Sequence, residues 1–325
     1  MKYTRVFINS LAYELAPEVV TSNSLESRLA PLYQKYRIPM GQLAALTGIV
    51  ERRWWPKEHI LSDGALAAAE KAIKETGICV GDLGAVVYTG VCRDQHEPAT
   101  ACRIAAKLGV SKETAIYDIS NACLGALSGI LDIANRIELG QIKAGLVVSC
   151  ESARHIVDVT IDDMLADPSM QNYAQSLATL TGGSGAVAIL LTDGSLDLTT
   201  ARNHQLLGAS HLSAPEHNGL CQWGLKEVGP QLFREFMRTD AVTLLDIDAF
   251  GADALLQLTG TLRKNGCLTI TNESRSLDAS QLGHEISIIE FGQTEGGNGS
   301  VIFPVMPDGL GLKFIAGPIN GGSGM

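Results

Sequence analysis

Four short runs, GAVVYTGV (84–91), AIYDIS (115–120), AGLVVSCES (144–152) and GAVAILLTD (185–193), are β-branched and nearly continuous in apolar residues. Runs of this kind read as strands covered on both faces. Stretches of helical period lie between them: DGALAAAEKAIKETG (63–77), ATACRIAAKLG (99–109) and LGALSGILDIANRIELG (124–140). Buried strands alternating with helices predict a layered α/β fold. Residues 153–180 are more polar, with Met164, Pro168 and Met170, and are expected to form an insertion lying over the core. The opening MKYTRVFINSLAYELAPEVV lacks an apolar signal core and cleavage site, so it is expected to be a first strand. From about Asp246 the signals become short and glycine-rich.

The remaining composition narrows the function classes. The 325 residues suffice for one large domain or two packed halves, and 46% are hydrophobic but only 5% aromatic, as for an aliphatic core. A net charge of −10 with scattered Lys and Arg excludes a basic nucleic-acid face. No uncharged apolar run is long enough for a membrane helix. The seven cysteines (79, 92, 102, 123, 150, 221 and 267) are odd in number and form no CxxC pair. Neither a zinc site nor a disulfide framework is expected, and a reduced cytoplasmic setting fits.

One of these cysteines has a distinctive position. Cys123 stands between the run 115–120 and the helical stretch from 124, in NACLGALSG. Leu127, Ile130, Leu131, Ile133, Ala134 and Ile137 mark the apolar face of that helix. Its first turns hold Gly125, Ala126, Ser128 and Gly129, which weaken an exposed helix by about 0.5–1 kcal/mol per glycine. They make sense where another backbone or a substrate must come close. A thiol at the positive end of the helix dipole is favoured as thiolate, and the nearby N–H groups suit an oxyanion. The alternative is an ordinary core cysteine.

DISNACLGALSGILDIANRIELGQIKAGLVVSCESA resembles the active-cysteine segment of the thiolase superfamily, in its β-ketoacyl-acyl-carrier-protein synthase III branch. LTGIVERRWWP (46–56), CRDQHEPATACRIAAKLGV (92–110) and TLTGGSGAVAILLTDG (179–194) are similar to further segments of that branch, in the same order. The resemblance spans about residues 1–245. It implies a five-layered αβαβα sandwich of two similar halves, 1–190 and 191–325, the second divergent after about 245. It implies a homodimer acting on acyl-CoA or acyl-carrier-protein thioesters, with no metal or redox cofactor. Cys123 would take the acyl group, and a second acyl or malonyl thioester would be condensed with it to a 3-oxoacyl product.

RDxxEPxTA and NACL are closest to the head-to-head condensing thiolases of bacterial olefin synthesis. That likeness makes Glu97 a base reaching the partner subunit's site; otherwise it is an ordinary carboxylate at a helix start before Pro98. The branch also uses a histidine and an asparagine from its C-terminal third. Neither motif stands in place here. Aligning EGGNGSVIFPV puts Gly297 at the asparagine position, with Asn298 one place later. Three readings remain: Asn298 and His284 act in a shifted register, or condensation is lost and acyl carrying kept, or an altered C-terminus follows a normal condensing domain. His284, beside a turn glycine, equally suits a structural place.

Arg52, Arg53, Trp54 and Trp55 admit two readings, a coenzyme A entrance pairing phosphates and adenine, or a loop with packed tryptophans. GGSGA (182–186) lacks the lysine and spacing of a phosphate loop and suits close packing. HLSAPEHNGLCQWG (211–224) has no ordered metal-ligand spacing.

Overall fold

The computed structural model describes residues 1–199, 204–212, 221–229, 232–239, 286–292, 300–302 and 315–317. Its centre is a mixed sheet. β1 (Phe7–Leu15) runs antiparallel to β7 (Gly185–Thr192), and β7 antiparallel to β6 (Ala144–Glu151). Beyond β6 lie β4 (Leu83–Tyr88) and β5 (Ala115–Asp118), all three parallel. On the far side of β1 follow β8 (His204–Leu212) and a further strand (Ile286–Gly292). Each of the four apolar runs is thus a strand of this sheet. β4 and β6 are buried almost throughout because helices cover both faces.

On one face α4 (Leu61–Thr76) packs through Leu61, Ala65, Ala68, Ala69 and Ala72, with α5 (Thr100–Leu108) beside it. The alanines let α4 lie close across β1, β6 and β7. On the other face α6 (Gly125–Glu138) buries Leu127, Ile130, Ile133, Ala134 and Ile137, the stripe expected from sequence. Ile130, Ile133 and Ile137 are wholly buried, each contributing about 1.5–3 kcal/mol. Leu206 and Ala209 of β8 join that core.

The expected insertion forms α7 (Arg154–Ala166) and α8 (Met170–Ser176). They share a third core with α1 (Ser22–Arg28), α2 (Ala30–Tyr36) and α3 (Gln42–Thr47). Here the wholly buried Glu26 accepts from the N–H groups of Gly41 and Leu43, both at 2.6 Å, satisfying the start of α3. Among the described residues no helix is long and apolar enough to cross a membrane.

Trp55 and His59 stack at 4.0 Å, 7° from parallel, and a Cβ on Gly64 would meet both His59 Nε2 and Cys150 Sγ. Burial lowers the His59 pKa below its ordinary 6.5, outweighing the Asp63 and Asp94 carboxylates that pull it up. The native state therefore binds fewer protons than the unfolded one in this range. The stability contribution is present above pH 6.5 and lost as pH falls below it. His59→Phe, which keeps the stack, is expected to flatten the acid side of the stability–pH curve. Urea midpoints measured against pH check this, and an unchanged slope would remove His59 as its source.

Candidate active site

β5 ends at Asp118, and the Ile119 N–H still bonds the Tyr88 carbonyl at 2.8 Å. The chain then turns sharply. Asn121 has φ −147° and ψ 50°, and Ala122 has φ 44°, in the left-handed region that costs a non-glycine residue about 1–2 kcal/mol. The turn is closed by Leu124 N–H to Asn121 O at 2.9 Å and pinned to α6 by Asn121 Nδ2 to Ser128 Oγ at 2.8 Å. A short 3₁₀ turn (Ala122–Leu124) thus precedes α6, which begins at Gly125 and not Leu124. Cys123 is exposed on this turn, while Leu124 and Gly125 are buried behind it. The N-cap of α6, Leu124, offers its first turn no side-chain hydrogen bond, which suits an arriving oxyanion.

The small residues have a direct cause. A Cβ on Gly125 would lie 2.2 Å from the Thr89 carbonyl oxygen, and one on Gly129 would lie 2.7 Å from Thr89 Cγ2. The helix can begin against Thr89, just past β4, only because Gly125 and Gly129 carry no side chain. Gly125→Ala, which gains up to about 1 kcal/mol of helix propensity, is expected to destabilise by about 1–3 kcal/mol net. It should also slow any modification of Cys123. Chemical denaturation with thiol labelling checks both, and a stabilised variant would contradict the contact.

Glu97 lies in the loop joining β4 to α5, within an exposed stretch formed by Gln95, His96, Glu97 and Pro98. The Glu97–Pro98 bond is cis, and α5 starts at Thr100, so Glu97 precedes the helix rather than opening it. Each foot of the loop is tied to a strand end. Glu151, closing β6, accepts from the N–H groups of Val91 at 2.6 Å and Cys92 at 3.1 Å. Burial raises the Glu151 pKa, while those amides pull it down. Asp118, closing β5, accepts from the N–H groups of Thr100 at 2.8 Å and Ala101 at 3.0 Å. Asp118, Glu151 and Thr89 were not foreseen from the sequence. The available signal was a carboxylate ending an apolar strand, since ligands gather at the carboxyl ends of strands in open α/β sheets.

Of the residues named for a coenzyme A entrance, Arg52 and Trp54 are buried and Arg53 is half-buried. β3 (Glu51–Trp54), paired with β2 (Glu18–Thr21), alternates outward and inward along its length. Arg52 is 6% exposed and donates to Ser22 Oγ at 2.8 Å and Val20 O at 3.4 Å. Burial lowers its pKa. Trp54 is 3% exposed, with Nε1 donating to Gly182 O at 3.1 Å and Arg154 over its ring at 5.1 Å. Arg52 and Trp54, two residues apart, share the inward face of β3, while the two-residue period turns Arg53 the other way. Only Arg53 keeps an outward face. The glycine-rich turn packs against this strand, Ser184 N–H bonding Arg53 O at 2.8 Å.

The chain's His-Gln pair, His204–Gln205, opens β8. His284 and Asn298 lie outside the described residues.

The thiolase N-terminal domain family matches residues 44–213. The acyl-CoA:acyl-CoA alkyltransferase of Shewanella oneidensis is 84% identical over 245 residues, covering 75% of this chain and 70% of the relative. That of Xanthomonas campestris is 34% identical over 226 residues, 69% of this chain and 66% of the relative. A crystal structure of cerulenin-bound Xanthomonas campestris OleA superposes with a TM-score of 0.67 at 32% identity, over 76% of this chain and 70% of that one. Other OleA structures carry substitutions of a glutamate and of a cysteine, the same number of residues apart as Glu97 and Cys123. By the family match and the identity to these relatives, the chain belongs to the thiolase superfamily, among proteins resembling OleA and the β-ketoacyl-acyl-carrier-protein synthases III.

Proposed function

We propose that the protein is a cytoplasmic, homodimeric acyltransferase that loads an acyl group onto Cys123 and condenses it with a second acyl thioester. The observation carrying this reading is the exposed Cys123 on a strained turn at the head of α6. The Cys123 thiolate attacks the carbonyl carbon of an acyl-CoA or acyl-carrier-protein thioester. The tetrahedral oxyanion is held by the Cys123 N–H and a second donor, then collapses and expels the carrier thiolate. Glu97 of the partner subunit removes an α-proton from the second acyl thioester, or a malonyl donor loses carbon dioxide. The resulting carbanion attacks the Cys123 thioester and releases the 3-oxoacyl product and the Cys123 thiolate. His284 and Asn298 would donate to the developing oxygens, and Arg53 would meet the phosphates of the carrier.

A second reading, acyl carrying without condensation, is favoured by one feature: the family's histidine and asparagine motifs are absent from their expected places in the sequence. Intact-mass measurement after incubation with an acyl-CoA, followed by addition of a second acyl-CoA or malonyl donor, separates the two. An acyl mass gain followed by 3-oxo product supports condensation. A mass gain without product selects the carrier, and no mass gain removes both.

A further inference from the structure

The loop bearing Glu97 is held by carboxylates that the chemistry above does not use. At its first foot Glu151 takes two successive amides, Val91 and Cys92. Tyr88 OH, bonded to Cys92 O at 2.6 Å and Cys150 O at 2.7 Å, closes the same knot. Between the feet, Asp94 accepts from the Ser62 N–H at 3.2 Å, at the start of α4. At the second foot the N-cap of α5, Ala99, supplies no side-chain bond, and Asp118 fills that place from another strand. The exposed crest from Gln95 to Pro98 is therefore short and fixed at both ends. Asp118 also terminates the strand that leads into the Cys123 turn.

We propose that Asp118 and Glu151 are positioning residues that clamp the 91–101 segment and so set the reach of Glu97 towards the partner subunit's Cys123; this rests on the reading of Glu97 as the condensing base. A free loop of this length would sample many conformations, and misplacing a base by about 1 Å costs about a hundredfold in rate. Two-point carboxylate anchoring removes that freedom.

The test uses the full-length dimer with an acyl-CoA as both donors. Asp118→Asn and Glu151→Gln each keep one acceptor oxygen and lose the other. Each is expected to lower condensation kcat about tenfold, to leave KM and the rate of Cys123 acylation within about twofold, and to speed amide exchange at 93–98. Added to Glu97→Gln, neither should lower condensation further, because residues acting as one unit are non-additive. Thr100→Pro is a second, independent variant. It deletes the donor at the first helical position, which tolerates proline after an extended Ala99 (ψ 142°), and should reproduce part of the loss. Unchanged condensation in the three variants, additive loss on Glu97→Gln, or a parallel fall in acylation would overturn the clamp. Failure of the underlying reading looks different. Glu97→Gln would then condense like wild type, or the wild type would not condense, and the clamp would fall with it.

Discussion

Replacing Cys123 by alanine is expected to abolish the acyl mass gain on exposure to acyl-CoA and to lower product formation at least about a thousandfold, as removing a covalent nucleophile does. Stability should change little, since the thiol is exposed and its turn is held by Asn121, Ser128 and Leu124. The chain contains its own control. Cys79 is also exposed but precedes a short 3₁₀ turn, whereas Cys150 is buried with its thiol pKa raised by desolvation. Cys79→Ala should leave acylation intact, and Cys150 should resist alkylation in the folded protein. Peptide mapping of the acylated enzyme decides the matter. Acyl groups persisting on another cysteine in Cys123→Ala would remove Cys123 as the nucleophile.

Glu97→Gln is expected to retain acylation of Cys123 while lowering condensation by about 10²–10⁴-fold, the range of a positioned general base. The two half-reactions separate because only the second needs a proton taken from carbon. A two-fold dimer adds a sharper consequence. Chains carrying Cys123→Ala and chains carrying Glu97→Gln, co-expressed in equal amounts, should form half mixed dimers with one complete site each, giving about a quarter of wild-type activity. Recovery at that level supports a base supplied across the interface. Absence of recovery in demonstrably mixed dimers would place Glu97 within its own subunit's site or outside the reaction.

Sequence legibility followed the range of the forces involved. The four buried strands and the apolar stripe of α6 were legible because burial on two faces or one leaves a periodic record in neighbouring residues. The crowding of small residues after Cys123 was legible as a need for close approach, though its partner, the Thr89 carbonyl, was not. Arg52 and Trp54 left two readings open because an arginine–tryptophan pair looks alike in a ligand entrance and in a strand. Only the pairing of β2 with β3 fixed which side chains turn inward.

Local pattern thus determined the sheet-and-helix order and the place of the cysteine at a strand-to-helix junction, since both depend on residues adjacent in the chain. The tertiary structure alone decided the left-handed Ala122, the contact between Gly125 and Thr89, and the capture of the 91–101 segment by Glu151 and Asp118. The Gly125 and Glu151 contacts join residues separated by other strands and helices, Asp118 takes amides 17 and 18 residues away, and contacts at such separations leave no periodic trace in either segment.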